Sequence, residues 1–230
     1  MAIRPIYCPM LDAIGVEEKA IEFKWHPGMA ASQKRKSINE LHAAAKSNGI
    51  ESILEISSKS EKDLGIKLSA FNLSIITKKK GNTFTVESAF QGSKVFEKGG
   101  PYKDLINMDS RSAKKDIRLK ESGNIVGFEF FGQKFPNKPR TFFYDWLYIN
   151  ALVQNEELAN NIQNYSAFTD IEFNPKKSIN CQAYSAALFI SILRSGKLEY
   201  ALESQDFFLK LTEQQYNKRG FDLAVQSSFI

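Results

Sequence analysis

Cysteine and histidine are scarce in this chain. The two cysteines, Cys8 and Cys181, lie far apart in the sequence. They are too few for a disulfide framework or a cysteine-rich zinc site, and they fit a reducing cytoplasm. Cys181 sits within INCQA just before a helix and reads as a small buried apolar residue rather than an activated thiolate. The two histidines, His26 and His42, have no cysteine or acidic cluster beside them at ligand spacing, so no metal site is expected. A Ser-His-Asp triad would need one of these two, and no Gly-x-Ser-x-Gly elbow accompanies them. Glycine-rich loops of Walker or Rossmann spacing are missing, as is HExxH, and no cofactor is expected. No apolar run approaches the length of a bilayer span. The N-terminal MAIRPIYCPMLD has no apolar core of the kind a secretion signal needs. The expectation is a cytoplasmic protein with no membrane partner. Internal repeats and low-complexity segments are also absent.

What is present can build a core. Of the 230 residues 43% are hydrophobic, and 18 Phe, 8 Tyr and 2 Trp are among them, which excludes disorder as the main state. The length fits one domain, with residues 1–60 as an N-terminal extension that carries a helix and packs on a core of residues 61–230. Lys and Arg number 31 against 26 Asp and Glu, for a net charge of +5. The excess is clustered at Lys34-Arg35-Lys36, Lys78-Lys79-Lys80, Lys114-Lys115 with Arg118 and Lys120, and Lys176-Lys177. Each cluster taken alone reads as a solvated face; together they suit a polyanion. Lysine dominates over arginine, which favours diffuse phosphate contact over base readout.

Residues 1–31, with Pro5, Pro9 and Pro27, read as irregular. Ser32 reads as the cap of a helix whose apolar face is Ile38, Leu41 and Ala45 and which Gly49 closes. Ile53, Leu54 and Ile56 suggest a strand, residues 68–76 a second, KKKGN at 78–82 a turn, and residues 83–86 a returning strand. Thr85 is placed to cap a helix over residues 86–98, stopped by Gly99-Gly100-Pro101. A charged helix over residues 111–121 follows, then a strand over 125–131. Two strongly apolar helices, residues 141–154 and 183–194, should be central. A short amphipathic helix at 156–163, an extended segment at 168–173 and a helix at 198–211 complete the reading. The class is α+β, helix-rich, with a small sheet.

The segment VESAFQGSKVFEK carries a polar ridge. Glu87, Gln91, Lys94 and Lys98 fall at i, i+4, i+7 and i+11, which on a continuous helix project within roughly 60° of one another. A carboxyl and an amine on one ridge are either an ordinary solvated face or the two working groups of a cleft.

At these residues the chain resembles the NADAR (YbiA-like) superfamily, whose members handle NAD-, ADP-ribose- and riboflavin-derived N-glycosides. Val86, Glu87, Phe90-Gln91 and Lys94 match its strand-to-helix motif, and LSAFNL at 68–73 resembles its Leu-Ser-Asn-Phe element. WLYINALVQNEEL resembles its apolar helix. The family's Asp-x-x-Trp-Gly is absent from FTDIEFNPKKSINCQA, so the second acid is Asp170 or Glu172. More narrowly, FKWHPGMAASQKRKSI, SAFQGSKVFEKGGPY and FYDWLYINA resemble the antitoxin branch that accompanies DarT-type DNA ADP-ribosyltransferase toxins.

That resemblance implies a catalytic domain over residues 61–230, a functional pairing with a DarT-type toxin, and an N-glycosidase that removes ADP-ribose from guanine bases in DNA. Glu87 is then the acid/base. Lys94 is either a cation for the diphosphate or a ribose hydroxyl, or an amine that enters a Schiff base with the opened ribose. Asn72 and Gln91 are hydrogen-bond partners for ribose or guanine edges, and Phe71, Trp146 and Tyr148 are stacking or wall residues. Trp146 and Tyr148, two apart on one helix, cannot both face one cleft squarely. Lys176, Lys177 and Asn180 either serve a pyrophosphate at a helix N-terminus or simply cap it. The rival readings are a glycosidase of a riboflavin-pathway or NAD-derived metabolite and a non-catalytic protein that binds the toxin or modified DNA.

Overall fold

A computed structural model describes residues 1–77, 81–175 and 178–227, with side chains through position 219. The chain opens with a long antiparallel hairpin, β1 (Ala2–Pro9) and β2 (Val16–Phe23), in which Ala2 lies opposite Phe23 and Pro9 opposite Val16. This corrects the irregular reading of the first 31 residues. The prolines are tolerated because β1 meets its other neighbour only at Tyr7, so most of that edge has no ladder to break. Helix α1 (Ala31–Ser47) buries Ile38, Leu41 and Ala45, as their spacing predicts. Ser32 lies inside its first turn, and Ala30 occupies the cap position without a side-chain bond. Gly49, just past the end, has φ of 75°.

Strand β3 (Ile53–Glu55) and the short α2 (Asp63–Lys67) follow. The strand expected over 68–76 shrinks to β4 (Ser74–Ile76), because residues 68–73 turn: Asn72 and Leu73 both donate their N–H to the Ser69 carbonyl. β4 pairs with β5 (Thr83–Thr85), and Thr85 caps α3 (Val86–Gly92) through Ser88 N. Residues 78–80 of the expected turn lie outside the described residues.

The helix expected over 86–98 ends at Gly92. A side chain at Gly92 would place its Cβ 2.6 Å from Ile106 Cγ1 and 3.1 Å from Ile106 N, in the 3-10 turn Lys103–Asn107. Close approach at this point turns the chain, and Lys94–Phe96 leaves as β6 with Lys94 opposite Phe128. The charged helix over 111–121 is two, α4 (Ser110–Lys115) and α5 (Arg118–Glu121). Asp116 divides them by accepting from Arg118 N at 2.9 Å.

β7 (Ile125–Phe130) and β8 (Gln133–Pro136) complete a sheet in the order β6-β7-β8. α6 (Phe142–Gln154), α7 (Glu156–Asn161), β9 (Ala167–Thr169) and α8 (Gln182–Arg194) fall close to where the apolar pattern puts them. The helix expected over 198–211 is α9 (Leu198–Glu203) and α10 (Gln205–Ser227), parted at the extended Ser204, whose hydroxyl accepts from Phe207 N.

The larger sheet runs β2-β1-β9-β3, with β9 antiparallel to β1 and parallel to β3. Its faces follow the two-residue period of a strand. Ile6, Ile53 and Ala167 pack with α1, while their neighbours Tyr7, Leu54 and Phe168 pack with the α6–α8 core. The N-terminal elements therefore share one sheet with β9, and the loop leaving β9 starts beside β3. Among the described residues, no helix is long and apolar enough to cross a membrane.

Gly92→Ala should lower stability by about 2 kcal/mol through overpacking against Ile106. For a chain of this size that is a fall in Tm of roughly 4–8 °C. A circular-dichroism melt that moves by less than about 1 °C would contradict the close approach.

Candidate active site

The first turn of α3 is pinned from three sides. Val86 N and Glu87 N donate to the Leu73 and Ala70 carbonyls of the 68–73 turn, each at 2.9 Å. Thr85 caps the helix and also bonds Ser110 Oγ, which donates to the Phe71 carbonyl at 3.0 Å. Ser88 Oγ donates to the Met108 carbonyl. Behind the turn, Gln182 at the start of α8 accepts from Ala70 N and donates to the Ile56 carbonyl, both at 2.7 Å. Every residue of α3 is buried, so Glu87 is held in a rigid, largely dry place.

Glu87, 5% exposed, accepts from Gln91 Nε2 at 2.8 Å, and Gln91 Oε1 accepts from Lys94 Nζ at 2.6 Å. The carboxyl and amine thus meet through one buried amide, although the helix ends between them. Lys94 Nζ also lies 4.7 Å from the Phe90 ring centroid. Burial pulls the Lys94 pKa down to about 8; Glu87 opposes the shift and Lys114 assists it. Lys114 Nζ stands 3.4 Å from Glu87 Oε1 and 4.9 Å from the Phe71 ring centroid, with 55% of its side chain exposed. Both groups facing Glu87 are donors. Lys98, expected on the same ridge, is exposed on the turn after β6, its N–H bonded to the Ser122 carbonyl.

The second wall is Tyr144 of α6, which packs edge-on against Phe90 with centroids 5.1 Å apart. Its phenol is pushed well up by burial and then by Glu87, with Asp170 also contributing, so both carboxyls lie within its electrostatic reach. Asp170 follows β9 directly. Its Oδ1 accepts from Glu172 N at 3.0 Å and Phe173 N at 3.1 Å, and burial followed by the nearby Glu55 raises its pKa well above the usual carboxylate range. Glu172 is exposed and pairs with Lys34 at 3.3 Å. Of the two acids left open by the sequence, Asp170 is the one whose charge acts on Tyr144.

The remaining expected residues divide. Phe71, half-buried under Lys114, joins the group. Asn72 is exposed and spends its amide on the Ile66 carbonyl at 2.8 Å. Tyr148 is fully buried, stacked on Tyr144, with its hydroxyl on the Leu68 carbonyl at 2.8 Å, so it supports the 68–73 turn from behind. Trp146 packs on Phe135 of β8, centroids 4.9 Å apart. Asn180 is half-buried before α8, and its Oδ1 is enclosed with no hydrogen-bond partner among the described residues. Lys176 and Lys177 lie outside the described residues. Arg118, counted with the basic cluster, is paired with Asp104 and Asp116.

Three residues escaped the sequence reading. Lys114 was visible only as one charge in a cluster. Tyr144 stands at i and i+4 with Tyr148, a helical pair that was not used. Glu55 is a lone carboxylate inside the apolar run Ile53-Leu54-Glu55-Ile56, which is itself a signal. Among the described residues, no three His, Cys, Asp or Glu side chains are grouped to hold a metal ion.

A model of the DarT1-associated NADAR antitoxin family matches residues 2–220, and the chain belongs to that family. No curated protein matches it.

The depressed Lys94 amine has a substrate-independent check. Nitrogen-15 NMR of labelled lysine, assigned with Lys94→Arg, should show Lys94 titrating near 8. Removing an opposing carboxylate in Glu87→Gln should lower that midpoint, and removing a like charge in Lys114→Met should raise it. A Lys94 midpoint that stays in the ordinary lysine range would mean that the amine is solvated.

Proposed function

We propose that the Glu87–Gln91–Lys94 group, with Asp170, hydrolyses the N-glycosidic bond between ADP-ribose and a guanine base of DNA, undoing the modification made by a DarT1-type toxin. The family supplies the antitoxin role and the toxin pairing. The observation that carries the chemistry is the desolvated Lys94 amine tied through Gln91 to a buried carboxyl.

The bond joins C1 of the ribose to the exocyclic amino nitrogen of guanine. Its cleavage needs a proton for a poor leaving group and capture of an electron-deficient sugar carbon. Opening of the ribose ring gives an iminium at C1 and an alkoxide at the ring oxygen. The neutral Lys94 amine adds at C1 and passes one proton to that alkoxide, and the guanine nitrogen departs with a proton from Asp170, leaving Lys94 as a protonated imine. Water then adds at C1, giving up a proton to Glu87, and the hydroxyl proton so formed moves to the Lys94 nitrogen as ADP-ribose leaves as its aldehyde. The proton on Glu87 returns to Asp170 through solvent. The sum is N-glycoside plus water giving guanine and ADP-ribose, with all three side chains restored.

The two carboxyls suit different roles because their surroundings differ. Glu87 faces two donors, the place for a base or a stabiliser of positive charge. Asp170 sits beside another carboxyl and holds its proton, the place for an acid. Lys114, more than half exposed beside Phe71, suits the diphosphate. The exposed lysines of α4 and of Lys34-Arg35-Lys36 suit the DNA backbone, and binding through them would weaken as salt rises.

Glu87→Gln should slow ADP-ribose release from a guanine-modified oligonucleotide by roughly 10²–10⁴-fold while the oligonucleotide still binds. Full toxin neutralisation by Glu87→Gln would instead identify a pure binder. Release from small N-glycosides with no response to DNA would identify a metabolite enzyme.

Borohydride added during turnover should trap ADP-ribose on Lys94, read by mass spectrometry and lost in Lys94→Arg. The trapping rate should rise as pH climbs toward about 8, where the amine loses its proton. No adduct would reduce Lys94 to a plain cation.

A further inference from the structure

The surroundings of Asp170 contain polar groups that the cleavage steps do not use. Glu55, 3% exposed, stands opposite Thr169 in the parallel β3–β9 pair. Its Oε2 accepts from Thr169 Oγ1 at 2.6 Å and its Oε1 from Ile171 N at 2.8 Å, and the Ser57 side chain is a third hydrogen-bond partner. The carboxyl therefore bridges the residues immediately before and after Asp170. Because the Thr169 hydroxyl donates to Glu55, it is an acceptor toward His42 Nε2, 2.8 Å away. That bond requires His42 to carry a proton on Nε2. Burial, helped by Lys46 and Lys62, lowers the His42 pKa to about 4, so the ring is neutral and the Nε2 tautomer is the one fixed.

A buried carboxyl in a strand between Leu54 and Ile56 is costly compared with an apolar side chain. Pairing two short strands does not need one. We propose that Glu55, held through Thr169 by His42, is a positioning residue for Asp170: it locks the chain on either side of that side chain and sets a second carboxyl between its two chain neighbours. The inference rests on Asp170 acting as the acid of the proposed reaction.

The consequence is electrostatic. Two carboxyls whose charges act on one another, with Glu55 buried, do not both ionise readily, and the proton settles on the one with fewer donors. Glu55 has Thr169, Ile171 and Ser57 as hydrogen-bond partners, while Asp170 has two backbone N–H groups. Glu55 thus keeps the charge and Asp170 the proton. The other groups facing Asp170 reinforce this. Glu172 on its own loop is a like charge, and Tyr144, Tyr148 and Cys181, from α6 and the start of α8, are acids whose own protons are held by burial. Lys34 pairs with Glu172 and offsets that charge, while Lys46 and Lys62 act on His42.

The test is the titration of the Asp170 carboxyl, followed by carbon-13 NMR with aspartate labelling and assigned with Asp170→Asn. It is paired with the pH profile of ADP-ribose release. In Glu55→Gln, which keeps the shape and removes the charge, the Asp170 midpoint should fall by about one pH unit or more. The alkaline limb of the rate profile should move down with it, so that the ratio of variant to wild-type rate drops as pH rises. A purely structural role would lower the rate alike at every pH and leave the midpoint in place, and that result overturns the inference. Should Glu55→Gln fail to fold, Thr169→Val removes one donor from Glu55, draws the proton toward Glu55 and should move the Asp170 midpoint in the same direction; an unmoved midpoint there also overturns it. If Asp170→Asn releases ADP-ribose at the wild-type rate, the assignment of Asp170 as the acid fails instead.

Discussion

The site depends on a buried amide, Gln91, standing between a carboxyl and an amine. Removing either charge from water costs several kcal/mol unless it is met by a partner with good geometry. Gln91 meets both, donating to Glu87 and accepting from Lys94. A direct ion pair would hold the amine charged and unreactive. An amide relay gives Lys94 a hydrogen-bond acceptor without a full counter-charge, so burial is left free to depress its pKa. The pinned first turn of α3 and the sharp exit at Gly92 exist around this relay: they fix where Glu87 begins it and let Lys94 return to it from a different element.

The wider fold sets the second carboxyl at the end of β9. β9 is inserted between β1 and β3, and Asp170 is the first residue after it. The parallel β3–β9 register sets Glu55 opposite Thr169. α1 covers the outer face of this sheet and supplies His42, while Lys34 reaches the loop at Glu172. Segments distant in sequence, from the N-terminal region and from the end of β9, therefore make one polar cluster.

Legibility in the sequence followed the physics of each segment. α6 and α8 were plain because a helix apolar on all sides has one place to go. Thr85 was readable as a cap because the donor it satisfies is local. The β1–β2 hairpin was hidden by Pro5 and Pro9, whose penalty depends on which strand edge is used, and that is a tertiary fact. The length of α3 was overstated because Gly92 signals a stop only through Ile106, a residue far along the chain. Lys94 was nevertheless grouped correctly with Gln91, since a lysine side chain is long enough to recover the contact after the helix ends. Trp146 and Tyr148 show the limit of aromatic counting: Trp146 packs on Phe135, and Tyr148 stacks behind Tyr144, the ring of α6 that meets Phe90 edge-on.

Exposure separates the two lysines of the site more decisively than distance from Glu87. Lys114 is the nearer to the carboxylate, at 3.4 Å, yet more than half its side chain is in water. An exposed ion pair of this kind trades partners at little cost. Lys94 is half-buried, its amine over the Phe90 ring, and desolvation lowers its proton affinity. The same division governs the acids. Glu87 is surrounded by donors, and Asp170 by another carboxyl and three neutral acids. Like residue types therefore stand in unlike surroundings, and what each side chain faces sets the part it can play.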